Sequence, residues 1–196
     1  MSRVPVSLSP QSDALSAAGR TAHDIGLAAL LGGNLFGRLA MHPALERISD
    51  KSERGEVVNA AWRRYGTVNS LALAALVGGW LPAPLGEARA RNLNAREAAL
   101  VRAKNVAVGA VVVTGVASAV AGVRFGQSAP GGAVPMQTGT DTAVETPRKA
   151  ARTKRVLNAL GRASALSEIA LVAINSALAQ ENFRNPSARR VLRRRW

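Results

Sequence analysis

The sequence contains no cysteine and only two histidines among its 196 residues. The absence of cysteine excludes a disulfide framework, a thiolate metal site and a cysteine nucleophile. With two histidines, most constellations of catalytic groups are excluded as well, and no Ser/His/Asp triad, carboxylate pair or cluster of metal ligands is readable. We therefore predict no metal site and no cofactor. Any catalytic residues stay unknown, and the sequence leaves open whether the protein is an enzyme.

Aromatic residues are also scarce, at 4%, and 12 acidic residues face 26 lysines and arginines, which gives a net charge of +14. The apolar residues are mostly alanine, valine and leucine, accompanied by 18 glycines. Small side chains let helix backbones approach closely, as in membrane bundles. The positive charge fits three kinds of partner, namely nucleic acid, anionic lipid head groups and an acidic protein surface.

Four long runs carry little charge, over residues 24–43, 66–81, 106–123 and 157–178. Twenty helical residues rise about 30 Å, the thickness of the hydrocarbon core of a bilayer. Helices that are apolar all round must be buried on every side, and four of them cannot all be central in so short a chain. This favours a membrane bundle. A soluble bundle stays open because Arg162 and Glu168 lie inside the fourth run, where charge is costly in a bilayer.

The predicted fold class is all-α: a four-helix transmembrane bundle over residues 21–184. Residues 1–20 are expected to be a flexible N-terminal segment, residues 125–146 a flexible loop, and residues 185–196 a basic tail. Two capping-box spacings support helix starts, Thr21 with Asp24 and Asn94 with Glu97. The four predicted helices cover about 22–42, 66–82, 95–124 and 147–182.

Asn34, Arg38 and His42 follow one another at four-residue steps, so a helix places them on one stripe. Glu168 and Asn175 are seven residues apart and share a face of the fourth helix. We call these five residues the polar seam. One interpretation is a site facing the bundle interior that binds an anionic or quinone-like ligand or relays protons. The other is structural: Arg38 pairs with Glu168 or extends to the interface, and Asn34 bonds to a neighbouring helix.

Two further groups suggest contact with the membrane surface. Trp62, Tyr65 and Trp80 lie at the ends of the second run, where aromatic residues commonly anchor a helix at the interface. The tail holds five arginines, each contributing about 1 kcal/mol to binding of anionic lipid near the surface. These arginines are Arg189, Arg190, Arg193, Arg194 and Arg195. We expect a multi-pass protein of the cell membrane with both termini cytoplasmic, and no nucleic-acid partner, since no RNA-binding aromatic motif accompanies the tail.

The spacing of two glycines suggests a second kind of partner, and the spacing of the two histidines excludes a haem or metal ion held by both of them. Gly33 and Gly37 form a G-x-x-x-G pattern, which is typical of contacts between helices or protomers. A homo-oligomer or a larger membrane complex is therefore a second expected partner. His23 and His42 are too far apart on one helix, about 28 Å, to hold one haem or metal ion together. We interpret both histidines as interface residues.

The first 80 residues resemble two small four-helix membrane families of bacteria, the anthrone-oxygenase-like group (DUF1772) and the DUF4149 group. The residues that carry the resemblance are Gly32-Gly33, His42-Pro43-Ala44-Leu45, Trp62-Arg63-Arg64-Tyr65 and Asn69. The long connection over 125–155 and the arginine-rich tail depart from that pattern, so no catalytic residue is carried over. Three functions stay open: a structural or accessory membrane bundle, a membrane oxidoreductase-like or ligand-binding protein that uses the polar seam, and a soluble basic helical protein that binds nucleic acid or an acidic partner.

Overall fold

The computed structural model describes residues 10–81 and 93–184, and those residues are helical with no β-strand. Four long helices account for most of them: α1 (Pro10–Phe36), α2 (Lys51–Trp80), α3 (Ala95–Gly126) and α4 (Arg148–Arg184). The predicted all-α class is confirmed. The five tail arginines, Arg189, Arg190, Arg193, Arg194 and Arg195, lie outside the described residues, as does the segment 1–9.

The ends of the helices agree with the prediction in the second half of the chain and differ from it in the first half. Both ends of α3 and α4 lie about two residues or less from the predicted positions, which is the usual uncertainty of helix boundaries. By contrast, α1 begins at Pro10 rather than near residue 22, and α2 begins at Lys51 rather than near residue 66. The expected flexible segment 1–20 is thus helical from Pro10 onward.

Capping side chains explain two of these starts. Asn94 and Glu97 form the predicted capping box, each side chain bonding to the other's backbone N–H at 2.8 Å. Asp50 caps α2 by accepting the backbone N–H of Glu53 at 2.8 Å. The predicted cap at Thr21 is wrong, because its hydroxyl donates to the Ala17 carbonyl inside α1. A threonine that bonds back to the preceding turn is a helix-interior residue.

The end of α1 is irregular. A π-helical turn (Gly37–Met41) follows Phe36, and a short α-helical turn (His42–Ala44) and a 3-10 turn (Leu45–Arg47) continue the chain. The backbone N–H of His42 bonds to the Gly37 carbonyl, five residues back. Pro43 has no N–H to offer the Leu39 carbonyl, so the regular ladder cannot continue there. The π turn, in which the hydrogen bonding of the helix changes, therefore lies next to that proline.

The helices form an up-and-down bundle of two closely packed antiparallel pairs, α1 with α2 and α3 with α4. In the first pair, Gly33 and Gly37 lie against the rings of Tyr65 and Trp62, so the predicted small-residue surface is a contact within the bundle. In the second pair, the N-terminal end of α3 meets the C-terminal end of α4, where Asn94 donates to Glu181 at 3.3 Å. Contacts between the two pairs are fewer.

Two separate clusters form the core, one near the middle of the bundle and one at the end where α3 connects to α4. The larger cluster takes side chains from all four helices, namely Leu27, Leu30, Ala72, Leu76, Ala107, Val108, Val111 and Leu171. The smaller cluster joins α3 and α4 to the connection between them through Phe125, Val134, Met136 and Ala150. The space between the two clusters is not filled by side chains and forms the cavity described below.

The connection between α3 and α4 folds over one end of the bundle, so the flexible loop predicted for 125–146 is wrong. Val134 and Met136 are fully buried there. Arg54 of α2 donates to the carbonyls of Ile48 and Gln137, and Asn59 donates to the Gly132 carbonyl at 2.7 Å. Because these bonds tie loop backbone to a helix, the loop is an ordered cap rather than a linker.

The outer surface carries an uncharged band. Residues 25–37 of α1, 65–81 around the end of α2 and 105–123 of α3 contain no charged residue, and 163–180 of α4 contains only the buried Glu168. Contacts between helices place much of these segments at the same level, for example Trp80 with Asn105 and Asn34 with Glu168. The last turn of the α2 segment extends beyond the α1 segment, since Gly79 lies against Gly19 and His23. Two of the helices, α3 and α4, are long and apolar enough to cross a membrane.

Candidate ligand-binding cavity

A cavity of about 1380 Å³ lies between the two helix pairs, and all four helices and the capping loop line it. Its wall on α3 is apolar or small over two turns and more, with Val111, Gly115, Val116, Ala119 and Val123. The walls on α1 and α4 are polar. A cavity with one apolar and one polar wall suits a molecule that is itself amphipathic.

Three members of the polar seam line this cavity together: Asn34, Arg38 and His42. In a regular α-helix, steps of four residues overshoot a full turn by about 40°, so the stripe would drift away from the cavity. The π turn at Gly37–Met41 is wider and offsets part of that drift. Its position therefore keeps Arg38 and His42 on the side of Asn34.

Glu168 is the fourth residue of the polar seam at the cavity, but its partner is not Arg38 as predicted. The Asn34 amide donates to both carboxylate oxygens, at 2.8 and 2.9 Å, and the Ser164 hydroxyl donates to one of them at 2.9 Å. Arg38 forms no ion pair with Glu168. Its guanidinium lies beside Gly161 instead, because the antiparallel register of α1 and α4 sets Asn34, rather than Arg38, level with the carboxylate.

Asn175 does not belong to the cavity, which corrects its place in the seam. Its amide donates to Asp24 at 3.0 Å, at the other end of α1. Seven residues rise about 10 Å, so sharing a face of α4 with Glu168 does not bring it to the same site. His23, which was interpreted as an interface residue, is 2% exposed and bonds through Nδ1 to the Leu76 carbonyl at 2.8 Å.

The end of the cavity near the capping loop is positively charged. Lys154 is only 6% exposed, with its ammonium 3.1 Å from the Gly139 carbonyl and 5.5 Å from the centre of the Phe125 ring. His42 lies nearby with both ring nitrogens buried and without a hydrogen-bond partner. Burial, together with the charges of Lys154 and Arg38, lowers the pKa of His42 to about 4, so the ring is neutral at pH 7.

The cavity reaches the molecular surface between α2 and α3. Lining residues on both sides of this gap are exposed, Thr67 and Ser70 on α2 and Val120 and Val123 on α3. These two helices belong to different pairs and have few contacts with each other. The opening is therefore lateral, and most of its height lies within the uncharged band.

The three aromatic residues predicted as interface anchors pack against other helices. The Tyr65 hydroxyl donates to the Ala29 carbonyl at 2.8 Å, and the Trp80 indole N–H donates to Asn105 at 3.0 Å. Trp62 lines the cavity and meets the rings of His42 and Tyr65 edge-on, at 6.1 and 6.2 Å between centroids. The polar groups of Tyr65 and Trp80 thus bond to neighbouring helices, whereas Trp62 contributes ring contacts. Their role as interface anchors stays a prediction.

Sequence reasoning missed Lys154 and Ser164 as site residues. Lys154, Asn158, Gly161, Ser164 and Glu168 all line the cavity and follow one another at steps of three or four residues. That spacing is the signature of one helix face and was available in the sequence. Across residues 10–81 and 93–184, no group of three or more metal-ligating side chains is found.

No family model matches the chain, and no curated protein or solved structure shows significant similarity to it. The resemblance of the first 80 residues to two membrane families therefore stays a prediction, and the arguments below rest on the geometry of the cavity.

Proposed function

We propose that the protein is an integral membrane protein whose four-helix bundle binds an amphipathic molecule taken from the bilayer. The observation that carries this proposal is the cavity of about 1380 Å³ with a valine-rich wall, a polar wall and a lateral opening. Protein interiors are normally packed without voids of such size. A purely structural or accessory bundle has no need of this space, so binding is the better explanation.

The uncharged band supports the membrane part of the proposal. Its segments are 13 to 19 residues long, which corresponds to about 20–28 Å and is close to a bilayer core once flanking side chains reach to the surface. Large apolar side chains within it point outward on every helix, among them Ile25, Leu71, Val113 and Leu166 at 64–69% exposure. Four spans would place both termini on one side, and the basic tail favours the cytoplasm.

Membrane insertion is tested by fractionation. We expect the full-length chain to stay in the membrane pellet after alkaline carbonate extraction and to be released only by detergent, because carbonate strips proteins held by charge alone. A peripheral protein attached through its +14 charge would be released by carbonate or high salt. Release into the soluble fraction contradicts the membrane proposal and favours the soluble basic protein.

Ligand binding is tested by filling the cavity. Gly122 lines the cavity, and a Cβ placed there meets no heavy atom within 4 Å, so a side chain at this position starts in open space and can extend into the cavity in Gly122→Trp. The wild-type protein, purified in mild detergent, is expected to carry a bound amphiphile detectable by native mass spectrometry. We expect Gly122→Trp to reduce its occupancy at least tenfold, because the indole takes the place of the ligand.

Gly109→Trp is the matched control. Gly109 lies on the same helix, is exposed, does not line the cavity and also has nothing within 4 Å of an added Cβ. Both substitutions gain similar helix propensity, at most about 1 kcal/mol, so a difference between them reports the cavity. The proposal is wrong if the wild type carries no amphiphile, or if both variants retain it equally.

A further inference from the structure

We propose that the end of the cavity formed by Arg38, His42 and Lys154 is an oxyanion site, which holds the phosphate or carboxylate head group of the bound amphiphile. This inference rests on the proposed function, and it specifies the chemical class of the ligand. Its basis is an imbalance at this end of the cavity: two cations and one neutral imidazole face it, against one exposed carboxylate, that of Asp141.

The two cations are withdrawn from water without an ion pair. Lys154 is 6% exposed, and its one hydrogen-bond acceptor is the backbone carbonyl of Gly139. Arg38 is half-buried and has no hydrogen bond or ion pair with any residue of the described chain. Taking a charge out of water is costly unless a counter-charge or several hydrogen bonds replace the water. A bound oxyanion would supply both.

His42 adds a donor of the right kind. Both of its ring nitrogens are buried without a partner, which is uncommon for a buried polar group and calls for a ligand. Burial, together with the charges of the two cations, keeps the ring neutral, and a neutral imidazole has one N–H to donate. An oxyanion in contact with all three side chains would therefore receive charge-assisted bonds from Arg38 and Lys154 and a third bond from His42.

The nearby carboxylates neutralise this end only in part. Glu168 is bonded to Asn34 and Ser164, further along the cavity. Asp141 lines the cavity and acts electrostatically on Lys154, but it is exposed, and one of its oxygens accepts the hydroxyls of Thr138 and Thr140, each at 3.1 Å. With one exposed carboxylate beside two cations, a net positive charge remains at this end of the cavity.

The location also fits a head group. Arg38 follows directly on the uncharged segment 25–37, and Lys154 precedes the segment 163–180 by about two and a half turns. The site therefore lies at one edge of the uncharged band, where a bilayer places its own head groups. From there, the apolar wall of α3 runs back into the band, so one molecule can place its anion at the edge and its chain along the valines.

The test uses the full-length protein in nanodiscs of uncharged lipid. Three probes are titrated: oleoyl lysophosphatidate, uncharged monooleoylglycerol and inorganic phosphate. We expect the wild type to bind lysophosphatidate at least tenfold more tightly than monooleoylglycerol. Lys154→Gln and Arg38→Gln should each weaken binding of lysophosphatidate far more than binding of monooleoylglycerol and so remove most of that preference, with thermal unfolding confirming the fold. Lys154→Arg should restore it in part.

Arg155→Gln and Arg64→Gln are the controls, since both arginines are exposed and neither lines the cavity. If these variants reduce the preference as much as Lys154→Gln does, the effect is general attraction to a basic protein and the site is wrong. Equal affinity of the wild type for both lipids overturns the oxyanion site but leaves the proposed function intact. Binding of neither lipid overturns the proposed function. Inorganic phosphate binding as tightly as lysophosphatidate, and lost in Lys154→Gln, supports the oxyanion site and overturns the amphiphile.

Discussion

Replacing Gly26 by leucine is expected to separate α1 from α2 and to lower the free energy of unfolding by about 3 kcal/mol or more. A Cβ at this position would lie 2.4 Å from the Ala72 carbonyl oxygen and 2.7 Å from the Leu76 nitrogen. Both atoms belong to backbone, so no rotamer change relieves the contact. The measurement is thermal unfolding of the purified protein in detergent, followed by circular dichroism.

Gly32→Leu is the control for this substitution. Gly32 lies on the same helix, is exposed and has nothing within 4 Å of an added Cβ. We expect it to be neutral or slightly stabilising, since leucine exceeds glycine in helix propensity by less than about 1 kcal/mol. Equal melting temperatures for the two variants would show that α1 and α2 are not packed as described.

Asn34→Leu is expected to destabilise the bundle by about 2–3 kcal/mol, because it leaves the Glu168 carboxylate without one of its two donors. Glu168 is 1% exposed, so water cannot replace the amide. In the double variant Asn34→Leu/Glu168→Leu, no buried charge is left unpaired, and most of the stability should return. Ser164 can then bond back to a carbonyl of its own helix.

A second cycle, with Arg38→Leu in place of Asn34→Leu, separates the observed pair from the predicted one. The coupling between Asn34 and Glu168 should be on the order of 2 kcal/mol, while that between Arg38 and Glu168 should be less than half of it. The measured quantity in both cycles is the free energy of unfolding in detergent titrated with a denaturing surfactant. A larger coupling energy between Arg38 and Glu168 would instead support the predicted salt bridge.

Helix boundaries were predicted well where the apolar run and the helix stop at nearly the same residue. Asn94 and Glu97 mark the start of α3 chemically, and the run that follows is uninterrupted, so both ends of α3 were predicted to about two residues. In the first half of the chain, α1 and α2 extend beyond their apolar runs into charged or polar sequence. An apolar run indicates what is buried or lipid-facing, whereas the cap at Asp50 with Glu53 decides where α2 begins.

The site was predicted in its parts but not in its pairing. The four-residue spacing of Asn34, Arg38 and His42 indicated one stripe, because spacing along a helix is a local property. The π turn at Gly37–Met41, which that spacing does not encode, keeps the three residues on the side of the cavity. Which of them meets Glu168 depends on how far α4 is shifted along α1, and nothing local encodes that shift. The prediction of a flexible loop over 125–146 failed for a related reason, because the order of this loop comes from distant donors such as Arg54 and Asn59.

The π turn at Gly37–Met41 holds one residue more than the α-turn it replaces. Loss of a single codon for one of residues 39–41 would return the segment to ordinary helix and leave everything that follows on nearly the same face, because the α-turn covers the same rotation with one residue fewer. Loss of a codon from the regular part of α1 would instead rotate the two parts of the helix relative to each other by about 100°. Among related chains, a one-residue gap at the π turn is therefore compatible with an intact site, whereas a one-residue gap earlier in α1 would mark its loss.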